Sequence, residues 1–337
     1  MNLKYQNLDQ SLKMRIFKSV GVEIFEDDIK YIKANQILYI SPNGQDFDES
    51  NNFAVYKLGK LIGKGGFGQV YESKHRITHE KFAIKIINGS AFKVNKIAEM
   101  MFKEIGILKN LDHKNIVKVH NFFTLQPEMK VAIVLEYLEG GDLRQYIERQ
   151  QSKYIEEQKA RHLFLQIYSA MQYCHCEKII HRDLKLENIM FTNKNHDIIK
   201  IVDFGISGNQ NLINIDYTES GSVRYFAPEV ITSKVPAHPS IDVWALGCIL
   251  YWMLVGSSPF PQNSKQQVYE SIIKGSYQFP KETKQRITKS AVNLIEKMLV
   301  VDISKRITML EIGQHDWIQK NVNEIEYKQS NLYQRNA

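Results

Sequence analysis

At 337 residues with 43% hydrophobic side chains, the chain is long enough to bury a substantial core, in one domain with extensions or in two lobes. Its net charge of +7 is modest for this length and its basic residues are dispersed, which argues against nucleic acid as a partner. Three cysteines, Cys174, Cys176 and Cys248, cannot all pair, and the most apolar run, 243–255, is too short to span a bilayer, so a cytoplasmic or nuclear protein with no membrane span is expected.

Residues 1–52 carry no recognisable motif, no apolar signal core and no myristoylation start. Leu8, Leu12, Ile16 and Val20 recur at four-residue steps with Lys13, Arg15 and Lys18 between them, which predicts one amphipathic helix. Residues 37–40 followed by Ser-Pro-Asn-Gly predict a strand and a turn. The segment reads as an extension packed on the domain that follows, with a partner- or membrane-docking element as the alternative.

Strand-like sequence begins at Tyr56 and is interrupted by Gly63-Lys64-Gly65-Gly66-Phe67-Gly68-Gln69-Val70. Glycines there let backbone N–H groups approach phosphates with no Cβ in the way. A dinucleotide-binding fold would need a helix after the glycines and an acidic residue about 20 positions on. Instead Val70-Tyr71-Glu72 continues as strand and position 88 is Asn, which favours a glycine-bearing hairpin over a dinucleotide-binding fold.

Lys85 lies inside the apolar run 82–87, where an unpaired ammonium is costly. A helix over about 96–111 would place Ile97, Met101, Leu108 and Leu111 on one stripe with Glu104 in its middle. Two inward-facing charges of opposite sign predict each other, so Lys85 is expected to pair with Glu104. Residues 131–135 form a further apolar strand that ends at Glu136-Tyr137-Leu138-Glu139-Gly140-Gly141-Asp142.

Ala160, Leu163, Phe164, Ile167, Met171 and Cys174 predict an amphipathic helix, with Glu156 and Glu157 suited to its first turn. Residues 181–188, His-Arg-Asp-Leu-Lys-Leu-Glu-Asn, follow, and then Asp203-Phe204-Gly205. Asp183, Lys185, Asn188 and Asp203 together supply a base, a cation and two oxygen ligands for hard metal ions, which is what phosphoryl transfer demands. A long polar segment containing Tyr217, Thr218, Ser220 and Ser222 leads to Ala-Pro-Glu at 227–229 and is a candidate order–disorder switch. Asp242 opens the apolar run, helical patterns follow at 265–274, 287–299 and 308–318, and residues 319–337 form a polar tail.

In order and spacing these residues resemble the catalytic loop and metal-binding triplet of the eukaryotic protein kinases, over residues 53–318. The resemblance implies an α+β, bilobal protein-kinase fold: an N-lobe at 53–137, small and mostly antiparallel β with one regulatory helix, and a larger, mainly α-helical C-lobe at 138–318. It implies a Ser/Thr kinase, since Lys185 stands two residues after the base, with ATP and Mg²⁺ as cofactors. Within that family the runs Glu-Gly-Gly-Asp-Leu and Asp-Val-Trp-Ala-Leu-Gly-Cys-Ile-Leu are most like the calcium/calmodulin-dependent and AMP-activated group.

Roles follow from the same resemblance. Asp183 would accept the hydroxyl proton, Lys185 would face the transferring phosphate, and Lys85, held by Glu104, would reach the α- and β-phosphates. Asn188 and Asp203 would hold the metal. Ile62, Gly63, Lys64, Gly65, Gly66, Phe67, Gly68, Gln69 and Val70 would cover the nucleotide, with Leu135 as gatekeeper and the backbone of Glu136 and Leu138 bonding adenine. Val70, Ala83 and Met190 would sandwich its ring. Asp242 would cap backbone N–H groups near Arg182, and Arg306 would pair with Glu229.

Thr218 matches the activating phosphosite, modified by an upstream kinase or by autophosphorylation, with Arg182 as charge partner for its phosphate. Asp142, Glu187 and Glu270 match places where basophilic kinases receive arginines, which implies protein substrates with Arg three residues before the Ser or Thr. A monomer is expected. The rival from another class is a non-catalytic kinase-fold scaffold that binds partners through residues 1–52, against which stands the presence of every chemical residue.

Overall fold

The computed structural model describes residues 15–18, 23–25, 27, 30, 38–41, 53–65, 68–87, 106, 109, 111–125, 130–204, 223–232 and 238–320, and the chain divides into two units. The first comprises residues 1–97 and 119–137, the second residues 98–118 and 138–337.

Near the start of the first unit, strands β1 (Arg15–Lys18), β2 (Glu23–Ile24) and β3 (Leu38–Ser41) form an antiparallel sheet of order β2-β1-β3. β3 answers to the strand predicted at 37–40. β1 corrects the predicted helix: Ile16 pairs with Ile24 on one side and Ile40 on the other. Four-residue steps are even, so they fit one face of a strand as well as a helical stripe. Here Phe17, one residue off that stripe, is the buried side chain, packed with Val55 against Tyr56. Leu8, Leu12 and Val20 lie outside the described residues.

A second antiparallel sheet of order β4-β5-β6-β8-β7 is built from Tyr56–Gly65 (β4), Gly68–His75 (β5), Lys81–Ile87 (β6), Val119–Leu125 (β7) and Lys130–Glu136 (β8). Its aromatic and β-branched residues suit a pleated, half-buried surface. Phe82, Ile84, Phe123, Ala132 and Val134 bury together, with Phe53, Tyr56, Ile86 and Leu125 against them. The other face of β6 carries Ala83 and Lys85.

Helices dominate the second unit. The stripe predicted from Ala160 to Cys174 is fully buried on α2 (Glu157–Cys176), preceded by the short α1 (Leu143–Arg149). Cys174 is buried and Cys176 exposed, as expected of side chains two positions apart on a helix, and all three cysteines are free. Glu156 makes no side-chain cap bond, whereas Glu157 accepts from Thr288 N and Oγ1 at 2.7 Å each and from Trp317 Nε1 at 2.8 Å. Burial opposes its charge, yet these bonds and Arg161 hold its carboxyl below the usual range.

β9 (Ile189–Phe191) and β10 (Ile199–Ile201) pair antiparallel after the catalytic-loop sequence, and the short α3 (Pro228–Thr232) follows. α4 (Ser240–Val255) is apolar all round and buried throughout from Val243 to Leu254, as befits a central helix. α5 (Lys265–Lys274) matches its predicted bounds, α6 (Lys281–Arg286) is additional, and α7 (Lys289–Met298) fills the 287–299 pattern behind a Thr288 cap.

The pattern at 308–318 is not one helix. α8 (Met309–Gln314) opens with a Thr308–Glu311 capping box and stops at His315, whose backbone is extended, and helix resumes over 316–320. The His315 ring is buried, meets Asn293 Oδ1 at 3.0 Å and accepts from Trp317 N at 3.2 Å. It therefore caps the new helix instead of continuing the old one. In the segment 96–111, Gly106 and Lys109 are helical, while Glu104 and most of the rest lie outside the described residues.

Candidate active site

The glycine-bearing hairpin is strand on both sides, with Gly63 opposite Val70, Lys64 opposite Gln69 and Gly65 opposite Gly68. Gly66 and Phe67, at its tip, lie outside the described residues. A Cβ on Gly68 would sit 2.2 Å from Ile86 O, so close strand approach requires glycine there. Ile62 is exposed at the start of this stretch.

Register then places the next residues on one face. Val70 lies opposite Lys85, Lys85 opposite Ile133, and Ala83 opposite Leu135, so Val70, Lys85, Ala83 and Leu135 share that face of the sheet. Glu136 ends β8 opposite Phe82. The predicted Lys85–Glu104 pair involves a residue outside the described ones.

In the second unit, Leu138 is buried and the strand-like segment after it runs along β9. Gly140 N donates to Phe191 O at 3.1 Å, and Asp142 bridges Met190. Asp183 carries the densest polar network of the loop that follows α2. Its Oδ2 accepts from Lys185 Nζ at 2.5 Å and from Asn188 Nδ2 at 3.2 Å, and its backbone carbonyl accepts from the same amide at 2.7 Å. The Asn188 carbonyl receives Val202 N at 2.9 Å, which ties the loop to the residue before Asp203.

Asp203 has φ 61° and Arg182 φ 69°, both in the left-handed region. Non-glycine residues there cost about 1–3 kcal/mol each and persist only where their surroundings hold them. Asp242 does so for Arg182: its Oδ1 accepts from Arg182 N at 3.0 Å, and its Oδ2 accepts from His181 N at 2.9 Å and His175 Nε2 at 2.8 Å. Complete burial opposes its charge, but His175 and His181 hold its carboxyl below the usual range. The cap expected of Asp242 is thus present. The His175 bond was not read from the sequence; His175 stands four residues after Met171, at the edge of the buried stripe, where a polar side chain needs a partner.

Asn188 and Asp203 are the two-residue set expected to supply metal oxygens, and the Val202 N bond to the Asn188 carbonyl joins their stretches of chain. Among the described residues no group of three or more His, Cys, Asp or Glu gathers as a metal cage. That set fits Mg²⁺, which takes one or two protein oxygens and completes its shell with waters and substrate phosphates.

Arg306 meets Glu229 in a fork, Nη1 to Oε1 at 2.6 Å and Nη2 to Oε2 at 2.9 Å, as the resemblance implied. Each of the three acids expected to receive arginines has a partner within the chain. Asp142 spends both oxygens on Gln145, 2.8 Å to its N and 2.5 Å to its Nε2, as the cap of α1. Glu187 pairs with Arg144 Nη1 at 3.7 Å, and Glu270 accepts from Gln266 on α5 at 3.1 Å. Arg144 also bonds Glu148 at 2.5 Å and lies 4.3 Å over the Trp252 ring. Sequence reasoning missed this cluster, which joins residues from three separate stretches of chain.

Residues 56–318 match the family model described as protein kinase domain. The chain is 37% identical over 278 residues to a carbon catabolite-derepressing protein kinase of Secale cereale, covering 82% of this chain and 53% of that protein. It is 38% identical over 267 residues to the SNF1-related protein kinase catalytic subunit alpha KIN12 of Arabidopsis thaliana, with 79% and 52% covered. A carbon catabolite-derepressing protein kinase of Saccharomyces cerevisiae is 38% identical over 269 residues, with 80% and 41% covered. The chain spans about half the length of the curated relatives it matches. With an antiparallel sheet unit, a helical unit and a family match across most of its length, this chain belongs to the protein kinase domain family, and within it is similar in sequence to the SNF1-related and carbon catabolite-derepressing kinases.

Proposed function

We propose that this chain transfers the γ-phosphoryl group of Mg-ATP to Ser and Thr hydroxyls of protein substrates. The observation that carries the reading is the Asp183 carboxylate, held through Oδ2 by Lys185 and Asn188. Oδ1 would then take the proton of the attacking hydroxyl. Lys185 stays beside the carboxylate as a cation for the charge on the transferring group.

Asn188 Oδ1 and Asp203 would hold Mg²⁺, which when bound neutralises phosphate charge. The hairpin 62–70 would bring backbone N–H groups to the phosphates, and Lys85 would reach the α- and β-phosphates. By the family resemblance Val70, Ala83, Leu135, Leu138 and Met190 would offer apolar contacts to adenine, and the backbone of Glu136 and Leu138 would bond its edge. Residues 1–52 form an extension ahead of the kinase domain at 53–318, and the protein acts as a monomer in the cytoplasm or nucleus. Among the described residues no helix is long and apolar enough to cross a membrane.

Incubating the purified chain with radiolabelled Mg-ATP and a mixed protein substrate should yield labelled phosphoserine and phosphothreonine. ATP binding without transfer, in protein carrying phosphate at Thr218, would establish the scaffold reading instead. Thr218 is proposed as the activating site, with the buried Arg182 beside Asp183 as charge partner for its phosphate. Thr218→Ala should lower turnover about tenfold or more, in the range of a lost charge-assisted contact. The comparison requires wild-type protein shown by mass spectrometry to carry that phosphate, and equal turnover would remove Thr218 from regulation.

A further inference from the structure

We infer that Arg144 occupies, from within the chain, the recognition site that a substrate arginine would use, and so lowers this enzyme's selection for basic residues beside the target hydroxyl. The inference rests on the kinase reading above and names a specificity determinant for it. Glu187 lies between Lys185 and Asn188 in the loop of the catalytic base, so its carboxylate is within a side chain's reach of a substrate segment presented to Asp183. Asp142, another of the acids matched to arginine recognition, already accepts two bonds from Gln145 as the α1 cap. Glu187 is therefore the carboxylate to which a substrate guanidinium would turn, and Arg144 already stands 3.7 Å from it.

Arg144 is held in place by more than that pair. Its Nε bonds Glu148 Oε1 at 2.5 Å one helical turn away, and its guanidinium lies 4.3 Å over the Trp252 ring. Trp252 is itself buried and stacked on Tyr225, with ring centroids 5.9 Å apart and planes 14° off parallel. An aromatic face and a carboxylate on either side are the contacts that suit arginine's planar cation. A guanidinium so preorganised loses little freedom by staying.

The consequence is a competition. A second guanidinium approaching Glu187 would meet a like charge across a few ångströms, or would have to displace Arg144 from three contacts. Glu148, Glu187 and Arg144 sum to one net negative charge, so a basic side chain is still attracted, but less than by two uncompensated carboxylates.

Kinetics on paired peptides tests this, using the full chain carrying phosphate at Thr218. A Ser peptide series with Arg or Ala at each flanking position gives a kcat/KM ratio per position. Wild type should favour Arg by about threefold or less everywhere, and Arg144→Ala should raise the ratio about tenfold at one position, the effect of a regained charged contact. Arg144→Gln, which keeps an unbranched polar side chain of good helix propensity and so should preserve α1, is expected to do the same. Adding Glu187→Ala to either should abolish the gain. The inference is overturned if wild type selects Arg strongly and loss of Arg144 leaves or lowers that selection, or if the gain survives Glu187→Ala. Should no peptide be phosphorylated by wild type, the kinase reading itself falls and this inference with it; phosphorylation with unchanged ratios sinks the inference alone.

Discussion

Asp183→Asn is expected to lower turnover about 10²–10⁴-fold, the range for loss of a positioned general base, while ATP binding stays near the wild-type level. In the native loop the Asp183 side chain accepts two bonds through one oxygen, from Lys185 and Asn188, and the other oxygen is the one proposed to take the proton. Asparagine offers a single acceptor. If its carbonyl takes over the Lys185 and Asn188 bonds, its NH₂ replaces the basic oxygen; if it does not, two donors face an NH₂ group. Either way no atom can take the hydroxyl proton. The residues proposed to contact ATP are elsewhere, so calorimetric ATP affinity should change little while ADP release in the presence of substrate collapses. Near-normal turnover would show that Asp183 is not the base.

Asp242→Ala should cost about 3–5 kcal/mol of stability, the range for breaking a buried charged network by removing one member. Asp242 is 1% exposed and accepts from two backbone N–H groups and from His175, and it supports the left-handed backbone of Arg182. Alanine would leave those donors buried without an acceptor. A pH dependence accompanies the loss. Because the folded carboxyl titrates below its ordinary value, its stabilisation is complete above the unfolded carboxylate pKa of about 3.9 and disappears as pH falls through the lower, folded value. Thermal midpoints of wild type and variant should therefore be far apart at pH 7 and converge below about pH 4. A constant gap across that window would mean that the carboxylate's charge contributes nothing.

Local periodicity and chemistry-bearing spacing were legible directly. The buried stripe of α2, the apolar run of α4 from Val243 to Val255 and the strand–glycine–strand hairpin each follow from residues close in sequence. Even the Asp242 cap and the Arg306–Glu229 fork could be anticipated, because a charge placed on or beside a buried helix has few affordable fates.

Three features were decided only by tertiary structure. At 15–18 the four-residue spacing fits helix and strand alike, and pairing with residues 23–24 and 38–41 selects the strand. The break at His315 depends on Asn293, a helix away, offering its side-chain oxygen to the imidazole. The internal partners of the recognition acids were not legible because a carboxylate's surroundings are not a property of its own neighbourhood in sequence: Asp142 caps α1, and Glu187 meets an arginine that lies over Trp252 of the central helix. Sequence by itself determined which residue types could perform phosphoryl transfer. Only packing of distant segments decided which charges remain unspent, because the competing partners come from parts of the chain that local pattern cannot connect.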